Sequence, residues 1–161
     1  MARAGADFGL LASNTTHIVF EELSRTSPIP LSSIVEAACE ATVALGLRTV
    51  GLLGTRYTME GSFYPDVVTR LGIRVLLPGS DERAYVHDKY MGELIEREFR
   101  SETHSGVADV IQRLGQQGAE GVLLAGTELP LVLRGVEIDG IPLLDTARIH
   151  VHRAVSELLS G

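Results

Sequence analysis

Short apolar runs closed by small polar residues dominate the pattern along the chain, and one such stretch occurs twice. Gly5 to Asn14 reads Gly-Ala-Asp-Phe-Gly-Leu-Leu-Ala-Ser-Asn, and Gly118 to Thr127 reads Gly-Ala-Glu-Gly-Val-Leu-Leu-Ala-Gly-Thr, so the two align without a gap. Each reads as a buried strand running into a turn that opens a helix, because the run ends on residues whose side chains cap the first free helix amides. Such turns gather N–H donors. At the carboxyl edge of a parallel sheet those donors seat a carboxylate or a phosphate. Two similar seats predict two lobes facing each other across one cleft.

The remaining periodicity extends this reading. A first strand is expected at Phe8 to Ala12, then a helix marked by Ile18, Val19, Phe20 and Leu23 that stops near Ser27-Pro28. Ser32 or Ser33 caps a helix to Leu45, with Ile34, Ala38, Ala41 and Leu45 at helical spacing. A strand follows over Arg48 to Leu53. Gly54-Thr55-Arg56-Tyr57-Thr58 makes a third polar turn before a helix to Leu71, a strand at Ile73 to Leu77 and a charged helix over Asp81 to Glu98. The next helix carries Val107, Val110, Ile111 and Leu114; after the second copy of the motif come a short helix at Leu129 to Leu133 and a strand at Ile141 to Leu144. Asp145 and Thr146 cap a last helix bearing Ile149, Val151, Val155 and Leu158. This alternation predicts an α/β fold with parallel sheets flanked by helices. Only one strand precedes residue 46, so residues 1–46 are expected to form a partial first lobe, completed by the helix over 147–160, and 47–146 a second lobe. A lone strand cannot bury both its faces.

Charge and composition narrow the partners. Over 161 residues the formal net charge is −7, which opposes binding to nucleic acid or an anionic membrane. No apolar run reaches membrane-spanning length, and the single cysteine, Cys39, excludes an internal disulfide, so a cytoplasmic protein is expected. Cys39 lies in a helical run and is read as a core side chain. His150 and His152 point to different sides of a helix while His87 and His104 are scattered, so no metal site is signalled. The glycines match no dinucleotide or phosphate-loop fingerprint, and no cofactor is expected. His17 lies one turn beyond Ser13, yet no carboxylate is placed to orient it as a hydrolytic base.

Longer blocks carry a family resemblance: Ser13-Asn14-Thr15-Thr16-His17, Leu52 to Glu60 with Phe63-Tyr64, Asp81-Glu82-Arg83 with His87, Gly118 to Val122 with Thr127-Glu128-Leu129-Pro130, and Leu144 to His150. With their spacing, these blocks resemble the aspartate/glutamate racemase family over nearly the whole chain. The resemblance implies two α/β lobes related by a pseudo-twofold axis, a cofactor-independent isomerase, a small acidic amino acid or other carboxylate held between the lobes, and a homo-oligomer. It also implies a strand-helix-strand-helix segment before the point where this chain begins, so the first lobe is read as shortened.

The family's two catalytic cysteines fall on Ser13 and Gly126, and neither is cysteine. A thiol is brought to ionise by a helix N-terminus, whereas a serine hydroxyl has no comparable route and glycine has no side chain. Racemisation through these positions is therefore expected to be weak or lost. By the same resemblance Asn14, Thr15 and Thr127 contact the substrate's amino or carboxylate groups, and Thr55 and Thr58 form a further donor set. Glu128 reads either as an acid/base group or as a carboxylate favoured by the helix dipole. Two alternatives stay open: a carboxylate-binding or scaffold protein without catalysis, and an enzyme recruited to decarboxylation or another isomerisation through an anion-stabilising pocket.

Overall fold

A computed structural model of the chain describes residues 1–135, 138 and 140–160. Its centre is a four-stranded parallel sheet formed by β3 (Thr49–Gly54), β4 (Arg74–Leu76), β5 (Gly121–Ala125) and β6 (Leu143–Asp145) in the spatial order β4-β3-β5-β6. β3 and β5 lie side by side over their full length, with Val50 opposite Gly121 and Gly54 opposite Ala125. Both are buried on both faces, which is why they read as near-continuous apolar runs rather than as alternations.

Helices cover each face of this sheet. On one side α5 (Ser80–Lys89), α6 (Ser101–Gln116) and α7 (Leu129–Val132) set Val86, Val107, Val110, Ile111, Leu114, Leu129 and Val132 against Leu53, Val122 and Leu124. On the other, α2 (Ile34–Ala44) and α4 (Phe63–Arg70) set Ile34, Val35, Ala38, Cys39, Tyr64 and Val68 against Val50, Leu52, Leu123 and Leu144. α2 thus packs on this sheet although it precedes residue 46. The final helix, α8 (Thr146–Ser160), lies along α2. The expected α/β architecture of parallel sheets flanked by helices is the one observed.

The early part of the chain holds a second, small sheet. β1 (Gly9–Leu10) pairs in parallel with β2 (Leu31–Ser32), and between them run a 3-10 turn (Thr15–Val19) and α1 (Phe20–Thr26). The sequence pattern showed no strand at β2, because Pro30 interrupts the run and Ser33 already caps α2 by accepting from the Glu36 amide. What draws residues 31 and 32 into pairing is the neighbouring strand, beginning with the Gly9 amide donating to the Pro30 carbonyl at 3.0 Å. The first strand is also shorter than the apolar run Phe8 to Ala12.

Three further boundaries differ from the periodicity. The helix expected from the third turn to Leu71 breaks at Gly61 into α3 (Arg56–Glu60) and α4; a Cβ at Gly61 would stand 2.6 Å from the Tyr57 carbonyl oxygen. The expected helix over Asp81 to Glu98 widens after Lys89 into a π turn (Tyr90–Leu94). In α8 the inward residues are Thr146, His150 and Ala154, whereas Val151, Val155 and Leu158 face solvent at 60%, 46% and 66% exposure. Polar anchoring wins over apolar periodicity there, since His150 Nε2 sits 3.2 Å from both the carbonyl and the hydroxyl oxygen of Ser32. Among the described residues no helix is long and apolar enough to cross a membrane.

Candidate functional site

The carboxyl ends of β3, β5 and β6 form one edge, and the first turn is fastened to it. Asn14 Nδ2 donates to Thr146 Oγ1 at 3.0 Å, and Thr146 donates onward to the Leu124 carbonyl at 2.9 Å. The Tyr64 hydroxyl donates to Asn14 Oδ1 at 2.5 Å. Asn14 is buried, and its polar atoms turn inward to these partners. The network joins the turn after β1 to β5, α4 and the start of α8, and it leaves every buried polar group in it paired.

One residue further on, Thr15 reaches the third turn. Its Oγ1 lies 3.1 Å from Thr55 Oγ1 and 3.3 Å from Thr58 Oγ1, and Thr55 and Thr58 are 3.2 Å apart. Three hydroxyls therefore make a closed triangle just beyond Gly54. Each hydroxyl is both donor and acceptor with a rotatable proton; Thr55 and Thr58 are buried and Thr15 is half-buried, so Thr15 is the corner able to turn a donor outward. The backbone at this point is drawn tight: a Cβ at Gly54 would stand 2.7 Å from the Ala125 carbonyl oxygen, leaving room only for glycine.

The second turn leaves β5 beside this triangle, because Gly54 and Ala125 are direct register partners. Neighbouring strands run about 5 Å apart, which sets Thr55 and Gly126 on adjacent tracks of the same edge. Gly126 is buried, and the space a side chain would take there is filled by Tyr90: an ideal Cβ would meet Tyr90 Cε2 at 2.5 Å, Oη at 2.9 Å and Cζ at 3.0 Å. The Tyr90 hydroxyl donates to Glu128 Oε2 in a short hydrogen bond, and Thr127 Oγ1 donates to the same oxygen at 2.6 Å. Burial first, and the bond to Glu128 second, push the Tyr90 phenol up to about 12, so it stays a donor at neutral pH. The π turn that aims Tyr90 is pinned by Glu93, which takes hydrogen bonds from Lys89 at 2.6 Å and from Thr103. Lys89, then Thr103, hold the Glu93 carboxyl below its ordinary range.

His17 and Cys39 stand apart from this chemistry. His17 Nδ1 donates to the Ser13 carbonyl at 2.8 Å, and Nε2 accepts from the Ile34 amide at 3.1 Å. Because a carbonyl only accepts and an amide only donates, the ring is neutral and its tautomer is fixed. Burial pushes it down to about 4, against the bond to Ser13, with nearby His150 lowering it further. His17 therefore touches Ser13 through the backbone, and its role is to bolt the first turn to α2. Cys39 is fully buried and pushed up to about 12, by burial first and then by Glu36 and Glu40. Among the described residues no three metal-ligating side chains cluster.

Of the residues singled out from sequence, the structure brings Asn14, Thr15, Thr55 and Thr58 together at the end of β3, and Gly126, Thr127 and Glu128 together at the end of β5. Tyr64, Thr146 and Tyr90 complete the two groups and were not named as site residues. Tyr64 lies within a block quoted for the family resemblance, but no local pattern shows that Tyr90 reaches Gly126.

An α/β protein with polar turns converging on the carboxyl edge of a parallel sheet is the class that this fold and site define. Residues 1–154 match the sequence model of the Asp/Glu/Hydantoin racemase family, and the chain belongs to that family. A crystal structure of a candidate Asp/Glu racemase from Yersinia pestis superposes with a TM-score of 0.91 at 31% identity, over 98% of this chain and 69% of that one. PH1733, an aspartate racemase homologue from Pyrococcus horikoshii OT3, gives a TM-score of 0.86 at 32% identity, over 99% and 70%. Among curated proteins, the broad specificity amino-acid racemase RacX of Bacillus subtilis (strain 168) is 23% identical over 160 residues, covering 99% of this chain and 68% of RacX.

Proposed function

We propose that this chain binds a small acidic amino acid or related carboxylate at the edge shared by the three turns, and that two-thiol racemisation at this site is weak or lost. The observation that carries the binding reading is the Thr15–Thr55–Thr58 hydroxyl triangle, held within 3.3 Å of one another beside the first turn with half-buried Thr15 as its accessible corner. Loss of racemisation is supported by Ser13 and Gly126, which stand where the family resemblance puts thiols and bring no group of comparable acidity. Cys39 offers no substitute, being buried in the α2 packing with its thiol held protonated.

The test pairs binding with exchange. L-Aspartate should raise the melting temperature while its dimethyl ester should not, and the α-proton of L-aspartate or L-glutamate in deuterium oxide should exchange at or near the enzyme-free rate by NMR. A ligand effect equal for acid and ester would refute carboxylate binding. Exchange as fast as in a two-cysteine racemase would refute the dependence on thiols.

A further inference from the structure

We infer that His17 is an acid-released latch: as a neutral ring it fastens residues 15–26 to the start of α2, and as a cation it lets that segment leave the body of the protein, taking Thr15 away from Thr55 and Thr58. The inference does not depend on which molecule the site binds.

Little else holds the segment. Among the described residues 15–26 only His17 is buried, and α1 buries no residue at all. Across to the body run the bond that His17 Nε2 accepts from the Ile34 amide and the hydroxyl contacts of Thr15. Both flanks are firmly placed, with Asn14 held by Thr146 and Tyr64 on one side and β2 paired to β1 on the other. Opening is therefore confined to the stretch between them, because regions with few buried contacts open at the lowest free energy.

The bonds at the ring decide what acid does. Nδ1 donates to the Ser13 carbonyl, so Nε2 is bare and accepts from Ile34, the first amide of α2. A proton on Nε2 would bring two N–H donors face to face across 3.1 Å, and the positive end of the α2 dipole disfavours a cation there as well. On α8 the edge of His150 lies 6.5 Å away, with Arg153 beyond it, so a charge on either adds repulsion. His17 also lines a cavity of about 440 Å³ shared by Glu21 and Arg25 of α1, Glu36 of α2, and Asp66 and Arg70 of α4. These carboxylates take no bond from the closed ring, whose nitrogens are both occupied, but they offer partners to a freed imidazolium. Burial first of all holds closed His17 down to about 4 from 6.5, so the closed form is favoured above 6.5 and loses ground as pH falls from there to 4. Between pH values of about 7.5 and 4.5 the ratio of open to closed segment should rise roughly 70-fold.

Hydrogen exchange of the full chain by mass spectrometry at these two pH values, expressed as protection factors, reads the opening. Amides of residues 15–26 should lose protection by roughly 70-fold in the wild-type chain. They should depend little on sub-denaturing urea, because local opening exposes little surface, whereas amides of β3 and β5 should depend on it steeply. His17→Gln keeps a donor and an acceptor but does not titrate, so its loss over residues 15–26 should stay below about threefold. Nitrogen NMR of the wild-type ring needs no variant: it should show the Nδ1-protonated tautomer at neutral pH, and uptake of the second proton at the pH where protection is lost. An equal loss in His17→Gln, a urea dependence of residues 15–26 matching that of β5, or a ring that takes up its proton with protection intact would overturn the latch.

Discussion

Placing a thiol at position 126, where the family resemblance puts the second cysteine, is predicted to fail for a steric reason that can be measured. In Gly126→Cys the new Cβ would meet the Tyr90 ring at 2.5 to 3.0 Å, where ordinary contact begins at 3.4 Å, and the sulfur would extend further still. The ring cannot recoil freely, because it sits in the core with Val86, Leu94 and Leu129, and Glu128 holds its hydroxyl. Overpacking of this kind costs about 1–3 kcal/mol. If the ring swings away, the hydrogen bond to a charged acceptor goes with it, about 1.5–3 kcal/mol more. A total of about 2.5–6 kcal/mol is therefore expected from urea unfolding. Tyr90→Ala alone should be costly as a large-to-small core change, about 3–5 kcal/mol, but in the Gly126→Cys background it should cost at least about 1 kcal/mol less, because it also relieves the clash. Thiol labelling supplies an independent reading. Cys39 is buried and pushed up to about 12, so in native protein an aromatic disulfide reagent reports only the introduced thiol. That thiol should react slowly with Tyr90 in place and much faster once the ring is removed. Strictly additive stabilities, or a freely reactive introduced thiol beside an intact Tyr90, would refute the claim that Tyr90 occupies the space of a side chain at 126.

Two further outcomes follow from buried polar groups. The folded-state value of His17 is pushed down to about 4 from 6.5, so between those values the unfolded chain binds more protons, and stability falls as pH falls. Wild-type protein should lose about 2–3 kcal/mol more than His17→Gln between pH values of roughly 7.5 and 4.5; parallel pH profiles from urea unfolding would contradict this. Asn14→Ala should cost about 2–4 kcal/mol because it leaves the buried Tyr64 hydroxyl without its acceptor and removes the amide that donates to Thr146, whereas Tyr64→Phe should cost about 1 kcal/mol. Equal costs for the two substitutions would show that the network does not depend on Asn14.

The sheet was legible in the sequence because β3 and β5 are buried on both faces and spell themselves as Thr-Val-Gly-Leu-Leu-Gly and Gly-Val-Leu-Leu-Ala, each closed by a turn. β2 was not: two residues between Pro30 and a helix cap carry no periodicity, and only the partner strand makes them extended. The same division holds at the site. Asn14, Thr15, Thr55 and Thr58 stand out as turn residues, and their convergence follows once a parallel sheet puts the strand ends on one edge. Tyr90 stands 36 residues from Gly126, on a helix whose charged pattern reads as half exposed. Its aim depends on the π turn and on Glu93 being held by Lys89, Arg100 and Thr103, which is a tertiary fact with no local signature.

α8 carries its polar anchor inside and its oils outside. Val151, Val155, Leu158 and Leu159 recur along the water-facing side at spacings of three to four residues, so they form a single greasy ridge rather than scattered spots. Each square ångström of that ridge taken out of water by any neighbouring surface returns about 25 cal/mol. The outer face of the last helix is therefore a place where covering by an apolar neighbour is favourable.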